Sequence, residues 1–244
     1  MVWSCLVSIL PGMAQTEKLT DYVNPFVGTD GYGNVYPGAQ IPFGGIQISP
    51  DTDSRFYDAA SGYKYNHLTL MGFSLTHLSG TGIPDLGDFL FIPGTGEMKL
   101  EPGTHEDPDQ GYRSRYSHDK EWASPNYYAV ELADYGVKAE MTSGVRSGMF
   151  RFTYPESDNA FIMIDMNHTL WQSCEWSNLR MINDSTITGY KLVKGWGPER
   201  HVYFTATFSK KLTGLRFVQD KKPVIYNTSR FHSCYEAWGK NLMA

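Results

Sequence analysis

No long run of lysine or arginine occurs in this chain, whose net charge is −5 and whose pI is about 5.8. A phosphate-backbone partner needs clustered cations, so nucleic acid is excluded as a ligand. Long apolar runs are absent too. The N-terminal apolar segment, residues 2–10, falls far short of the roughly 20 residues that cross a bilayer, so no membrane span is expected. Cysteine is scarce: Cys5, Cys174 and Cys234 show no metal or redox spacing, and although Cys174 and Cys234 could pair, three cysteines do not decide the compartment. Helical periodicity is weak, and no internal repeat or low-complexity tract divides the chain, which is read as one domain.

Aromatic residues, by contrast, make up 14% of the 244 residues, with 16 tyrosines and 6 tryptophans, more than core filling demands. Exposed rings suit flat, amphipathic ligands because they offer area at little rotamer cost. Residues 1–14 read as a signal peptide: an apolar segment is followed by Gly12-Met13-Ala14, small residues at a cleavage point, although the positive n-region is missing. Such a leader implies export to the periplasm, the cell surface or the medium; the alternative is an extra N-terminal strand.

From residue 20 to 244 the pattern is strand, turn, strand. Residues 127–132 and 137–141 flank Asp134-Tyr135-Gly136, a hairpin signal. Further strands are predicted at 44–49, 145–154, 161–166, 186–193 and 201–208, with one helical turn within 171–179. This spacing predicts an all-β fold, a large antiparallel β-sandwich. The glycines of residues 28–34 invite a phosphate-loop reading, but no apolar strand leads in and Pro37 and Pro42 interrupt the next segment, so loop is the reading. Gly239-Lys240-Asn241 reads as a turn into a strand with no sequence left to form it, which suggests a fragment of something longer.

The stretch 61–93 is the centre of the chain. Tyr63, Tyr65 and His67 alternate with polar residues, Phe89 to Ile92 form an apolar run, and between them lies a loop rich in glycine, threonine and aspartate. Gly80, Gly82 and Gly87 permit close backbone approach, and His77, Ser79, Thr81, Asp85 and Asp88 are the polar groups such a loop presents. His77 reads equally as a hydrogen-bonded structural histidine or a pocket residue. Asp85 and Asp88 suit metal ligation, but aspartates beside glycines more often fix turns through the backbone. Ser74, His77 and Asp85 make no hydrolytic triad, since no nucleophile elbow surrounds Ser74. A second polar-aromatic patch runs from Asn167-His168-Thr169 to Trp171 and Glu175-Trp176, and suits an interdomain face.

Two blocks carry a family resemblance. The first is Tyr22-Val23-Asn24-Pro25-Phe26-Val27-Gly28-Thr29 with Tyr36-Pro37-Gly38-Ala39-Gln40-Ile41-Pro42-Phe43-Gly44 and Gln47-Ile48-Ser49-Pro50-Asp51-Thr52. The second is Ser61-Gly62-Tyr63, then Gly72-Phe73-Ser74-Leu75-Thr76-His77-Leu78-Ser79-Gly80-Thr81-Gly82 and Asp85-Leu86-Gly87-Asp88. Together they resemble the N-terminal domain of glycoside hydrolase family 92, the calcium-dependent exo-acting α-mannosidases. The resemblance implies a galactose-mutarotase-like supersandwich packed on a catalytic (α/α)6 barrel located later in the sequence. It also implies α-mannoside glycans as substrates and hydrolysis with inversion by two carboxylates on the barrel. Ca2+ would be held by ligands mostly outside this chain. The chain alone would then be inactive, and its loops would close one side of the pocket.

By that resemblance the turn at Tyr57-Asp58 stands where members carry a tryptophan-bearing loop facing the sugar, so Tyr57 would stack and Asp58 accept a hydroxyl. With His77, Thr81 and Asp85 these are the expected substrate-binding residues; no residue here is expected to be catalytic or to bind metal. Leu75 stands where a histidine is common and Ile83 where a small residue or cysteine is common. A non-catalytic carbohydrate-binding protein is the alternative reading.

Overall fold

Short apolar-polar alternations, broken by glycine and asparagine turns, build strands and almost no helix. The computed structural model describes residues 17–54, 57–224 and 236–244. The leader at 1–14, Cys5 and Cys234 lie outside the described residues; Cys174 is buried as a free thiol.

In chain order the strands are β1 (Ser49–Asp51), β2 (Thr69–Leu70), β3 (Gly72–Ser74), β4 (Leu90–Thr95), β5 (Ser114–Arg115), β6 (Glu121–Ser124), β7 (Tyr127–Leu132), β8 (Val137–Ser143) and β9 (Gly148–Thr153). They continue with β10 (Ala160–Asp165), β11 (Ser173–Asn183), β12 (Thr186–Lys194), β13 (Arg200–Thr207), β14 (Val218–Gln219), β15 (Lys222–Pro223), β16 (Glu236–Gly239) and β17 (Leu242–Met243). A seven-stranded sheet has the order β1-β3-β4-β10-β17-β14-β15; two four-stranded sheets run β6-β7-β8-β9 and β13-β12-β11-β16, and β2 pairs with β5. The pairings are antiparallel, as expected for an all-β sandwich.

Both four-stranded sheets pack on one face of the seven-stranded sheet. Phe91 of β4 marks the seam: its ring lies 5.3 Å from Phe150 of β9 and 5.9 Å from Phe204 of β13. Phe73 and Ile48 pack with Tyr128, Val130, Ala139 and Met141 of the β6–β9 meander. Phe89 and Ile164 pack with Leu179 and Ile187 of the other sheet. The alternate residues of β4, Leu90 and Ile92, point the opposite way, into a third cluster with Met163 and Tyr112.

Four local expectations need correction. The strand expected at 44–49 sits at Ser49–Asp51, preceded by a single bridge from Ala39 to Ile48. The helical turn expected within 171–179 is instead the start of β11, whose pairing with β12 outweighs local preference. The alternation of Tyr63 and Tyr65 does not make a strand: the His67 amide donates to the Lys64 carbonyl at 3.1 Å, closing a turn over residues 64–67, and Tyr63 is buried while Tyr65 lies outside, stacked 3.9 Å from the His118 ring. The strand expected to be missing after Gly239-Lys240-Asn241 is present: Leu242–Met243 forms β17, between β10 and β14.

Candidate functional site: the glycine loop and its aromatic rim

The chain leaves β3 at Ser74 and returns to β4 at Leu90, with a bridge between His77 and Leu86 closing the excursion. Residues 78–85 are therefore the tip of a hairpin growing out of the central sheet. Gly87 makes the return possible. It has φ +73°, and a Cβ there would stand 2.7 Å from Leu170 Cγ and 2.8 Å from its backbone nitrogen. Gly87→Ala is expected to cost about 1–3 kcal/mol through left-handed strain plus this clash, measured as a fall in the urea midpoint; an unchanged midpoint would refute the role.

The stem is held by buried charge. Asp88 is fully buried; its Oδ1 lies 3.1 Å from Lys191 Nζ, and its Oδ2 pairs with Arg200 and accepts from Thr76 Oγ1 at 2.7 Å. Burial raises the Asp88 carboxyl, but Lys191 and Arg200 outweigh that cost and hold it below the usual carboxylate value. Lys191 is buried because β12 alternates and its inward face carries Ile187, Lys191 and Val193. Its ammonium also donates to the His168 carbonyl at 2.6 Å. Asp85 accepts from the amides of Leu86 at 2.6 Å and Trp196 at 3.1 Å, tying the tip to the β12–β13 turn.

His77 is buried beneath the loop. Its Nδ1 lies 2.7 Å from the Gln47 carbonyl and its Nε2 2.7 Å from Asp51 Oδ1, with Ser74 Oγ at 3.1 Å. The other Asp51 oxygen lies 2.8 Å from His168 Nε2. Burial raises the Asp51 carboxyl, yet the two histidines overcome it and hold it well below the ordinary range. One carboxylate thus clamps β1, the loop and the turn after β10. Leu75 packs against two of the core clusters, whereas Ile83 stands exposed at the tip.

Around the tip stands a rim of exposed rings. Gly80 donates to the Asn34 carbonyl at 2.7 Å, which brings the turn carrying Tyr32 alongside. Thr81 is half-buried and donates to the Ile83 carbonyl at 3.1 Å. On another side Leu170 donates to Leu86 O at 2.9 Å and Gln172 Nε2 to Pro84 O at 2.8 Å, presenting Trp171, which is 55% exposed. Tyr57, in a 3-10 turn and 56% exposed, meets Trp171 edge to face with centroids 5.3 Å apart. The Asp58 side chain lies outside the described residues. Trp196 completes the rim at 60% exposure. His168 and Thr169 also line a cavity of about 490 Å3 with Tyr112, Asp165 and Asn241.

Among the described residues no group of three or more His, Cys, Asp or Glu is placed to hold a metal. The carboxylates in and beneath the loop do not fit calcium: Asp51, Asp85 and Asp88 are already committed to histidines, amides and cations. Nor do they offer a free acid-base pair.

This arrangement of sandwich and loop has relatives. Residues 22–240 match the model of the glycosyl hydrolase family 92 N-terminal domain. The chain belongs to glycosyl hydrolase family 92. A solved relative is the family GH92 α-mannosidase BT3965 from Bacteroides thetaiotaomicron, 99% identical, with a TM-score of 0.90 over 93% of this chain and 31% of that one. The same enzyme has been solved in complex with mannoimidazole. The GH92 family glycosyl hydrolase ccman5 is 26% identical, with a TM-score of 0.74 over 92% of this chain and 30% of that one. A protein of Arthroderma benhamiae described as an uncharacterized secreted glycosidase is 30% identical over 139 residues, 56% of this chain and 17% of that protein. This family 92 chain thus spans about a third of the solved relatives.

Of the residues singled out by sequence, the structure gathers His77, Thr81 and Asp85 in the loop, with Tyr57 on the rim. Sequence reasoning gave no role to Asp51, Lys191 and Arg200, which hold the loop from within, or to Trp196, and it placed His168 in a patch suited to an interdomain face rather than beneath the loop. A lysine at an inward position of a strict alternation was the one available signal for Lys191.

Proposed function

We propose that this family 92 chain forms the N-terminal β-sandwich of an exported enzyme that removes terminal α-mannose from glycans with inversion. Its loops supply one wall of the pocket, and a catalytic (α/α)6 barrel encoded outside these residues supplies the acid, the base and the calcium sites. The observation that carries the reading is the 99% identity, over nearly the whole chain, to an enzyme described as an α-mannosidase. The site's own chemistry agrees: its carboxylates are consumed in ion pairs and caps, so inverting hydrolysis, which needs two carboxyl groups about 6.5–9.5 Å apart with a water between, finds no pair in this loop. Tyr57 offers a ring to the sugar's C–H face, Asp58 and Thr81 offer hydroxyl contacts, and His77 and Asp85 position the loop from beneath. Export rests on the leader-like residues 1–14 and the secreted relative.

The chain alone is expected to release no 4-nitrophenol from 4-nitrophenyl α-mannoside. The longer polypeptide should release it, give β-mannose as the first anomer by NMR, and lose activity to a calcium chelator. Turnover by the isolated chain, or an α-anomer product, refutes the reading. Millimolar mannoside binding by a chain whose longer form has no activity would favour the non-catalytic carbohydrate-binding alternative.

A further inference from the structure

Trp171 is a bulky residue in the left-handed region, at φ +65°. That conformation is strained for anything but glycine, and it persists only where surrounding contacts over-determine it. They do so here. Thr169 Oγ1 donates to the Gln172 carbonyl at 2.8 Å and accepts from the Gln172 amide at 3.2 Å, closing the turn. Leu170 is fully buried and bonded to Leu86, and Gln172 is bonded to Pro84, so the turn is fastened at both ends to the glycine loop. The product of this strain is a tryptophan held in solvent, where it gains little from the core.

Its ring partner among the described residues is Tyr57. The two planes meet at 61° with centroids 5.3 Å apart, so together they form a corner rather than a stack, with ring faces left open. An aromatic corner beside a loop that carries the Thr81 hydroxyl suits a ligand with an apolar face and a polar perimeter, which describes a pyranose ring.

We propose that Trp171 is a sugar-stacking residue that, with Tyr57, forms a two-walled aromatic corner for one hexopyranose ring of an α-mannoside glycan. The proposal rests on the α-mannosidase reading of this chain. Tyr57 alone would be a single wall on a short 3-10 turn; Trp171, on a turn fastened to the loop, fixes where that wall stands and so which ring orientation is accepted.

The test places Trp171→Ala, Trp171→Phe and Tyr203→Ala, numbered as in this chain, in the full-length Bacteroides relative, with α-mannobiose as substrate. Tyr203 is more exposed than Trp171 and lies on the outward face of β13. Trp171→Ala should raise KM about tenfold, the value of one aromatic contact, with kcat changed less than about threefold. Trp171→Phe should recover most of that loss and Tyr203→Ala should match wild type. Wild-type kinetics in Trp171→Ala overturns the corner while leaving the α-mannosidase reading intact. A lowered thermal midpoint with unchanged KM also overturns it, assigning Trp171 to packing against the rest of the polypeptide. Absence of mannobiose hydrolysis by wild type overturns the α-mannosidase reading, and this proposal with it.

Discussion

Asp88→Ala is expected to destabilise the folded chain by about 3–5 kcal/mol, because it removes the carboxylate that pairs with the buried Lys191 ammonium. Lys191 has no exposed surface, so it has no route to water short of opening the β11–β13 sheet. Arg200 is less affected, since it is partly exposed and stands 3.8 Å from Asp85. In this size range the loss should lower the thermal midpoint by roughly 10 °C. A compensated variant separates the stranded charge from lost packing: Asp88→Leu with Lys191→Met removes both ions and should recover more than half of the loss. Guanidinium unfolding of the three proteins is the measurement. A cost under about 1 kcal/mol for Asp88→Ala would show that the lysine escapes or is relieved by other groups.

Asp51→Ala should cost about 3 kcal/mol or more, because His77 and His168 both lose the acceptor that joins them. The effect has a pH signature. The folded Asp51 and Asp88 carboxyls both titrate below the unfolded value of about 3.9. A depressed carboxyl contributes stability that is fully present above the unfolded pKa and is lost as pH falls through the folded one. Wild type should therefore lose stability steeply below about pH 4. The difference between wild type and Asp51→Ala should narrow over the same interval, because acid removes the pair from wild type as well. Asp165 works with the opposite sign: burial raises its carboxyl above the ordinary value, so its ionised form opposes folding and acidification relieves it. Urea midpoints at pH 7 and at about pH 2, well below the unfolded carboxylate value, test the claim, and an Asp51→Ala deficit of equal size at both would sink it.

The sandwich was legible in the chain because its strands alternate. The inward Ile187 and Val193 of β12 and the outward His201, Tyr203 and Thr205 of β13 obey the two-residue period that a half-buried strand imposes, whereas the hairpin at 127–141 is legible from its Asp134-Tyr135-Gly136 turn. Where a turn intervenes, alternation misleads: the bond from the His67 amide to the Lys64 carbonyl closes a turn over residues 64–67, and Tyr63 lies inside while Tyr65 lies outside although both sit on the same phase. Neighbours also overrule local preference. Residues 173–179 join a sheet because β12 offers an edge, and Leu242–Met243 become a strand because β10 and β14 leave a gap for two residues.

By itself, then, the amino-acid order determined the all-β class, the glycine hairpin at residues 78–88 as the centre of the chain, and the two family blocks, the first of which contains β1. These are properties of short windows: a period, a turn residue, a contiguous motif. Only the tertiary structure decided what the loop's polar residues do. Asp88 meets Lys191 and Arg200, Asp51 meets His168, and Tyr57 meets Trp171, each across about half of the sandwich's length in sequence. No local pattern encodes such pairs, because a carboxylate beside a glycine reads the same whether it faces water or a buried ammonium. Burial supplies the difference: once the sheets close and water is excluded, an acid that looked available to a ligand must find its cation within the fold.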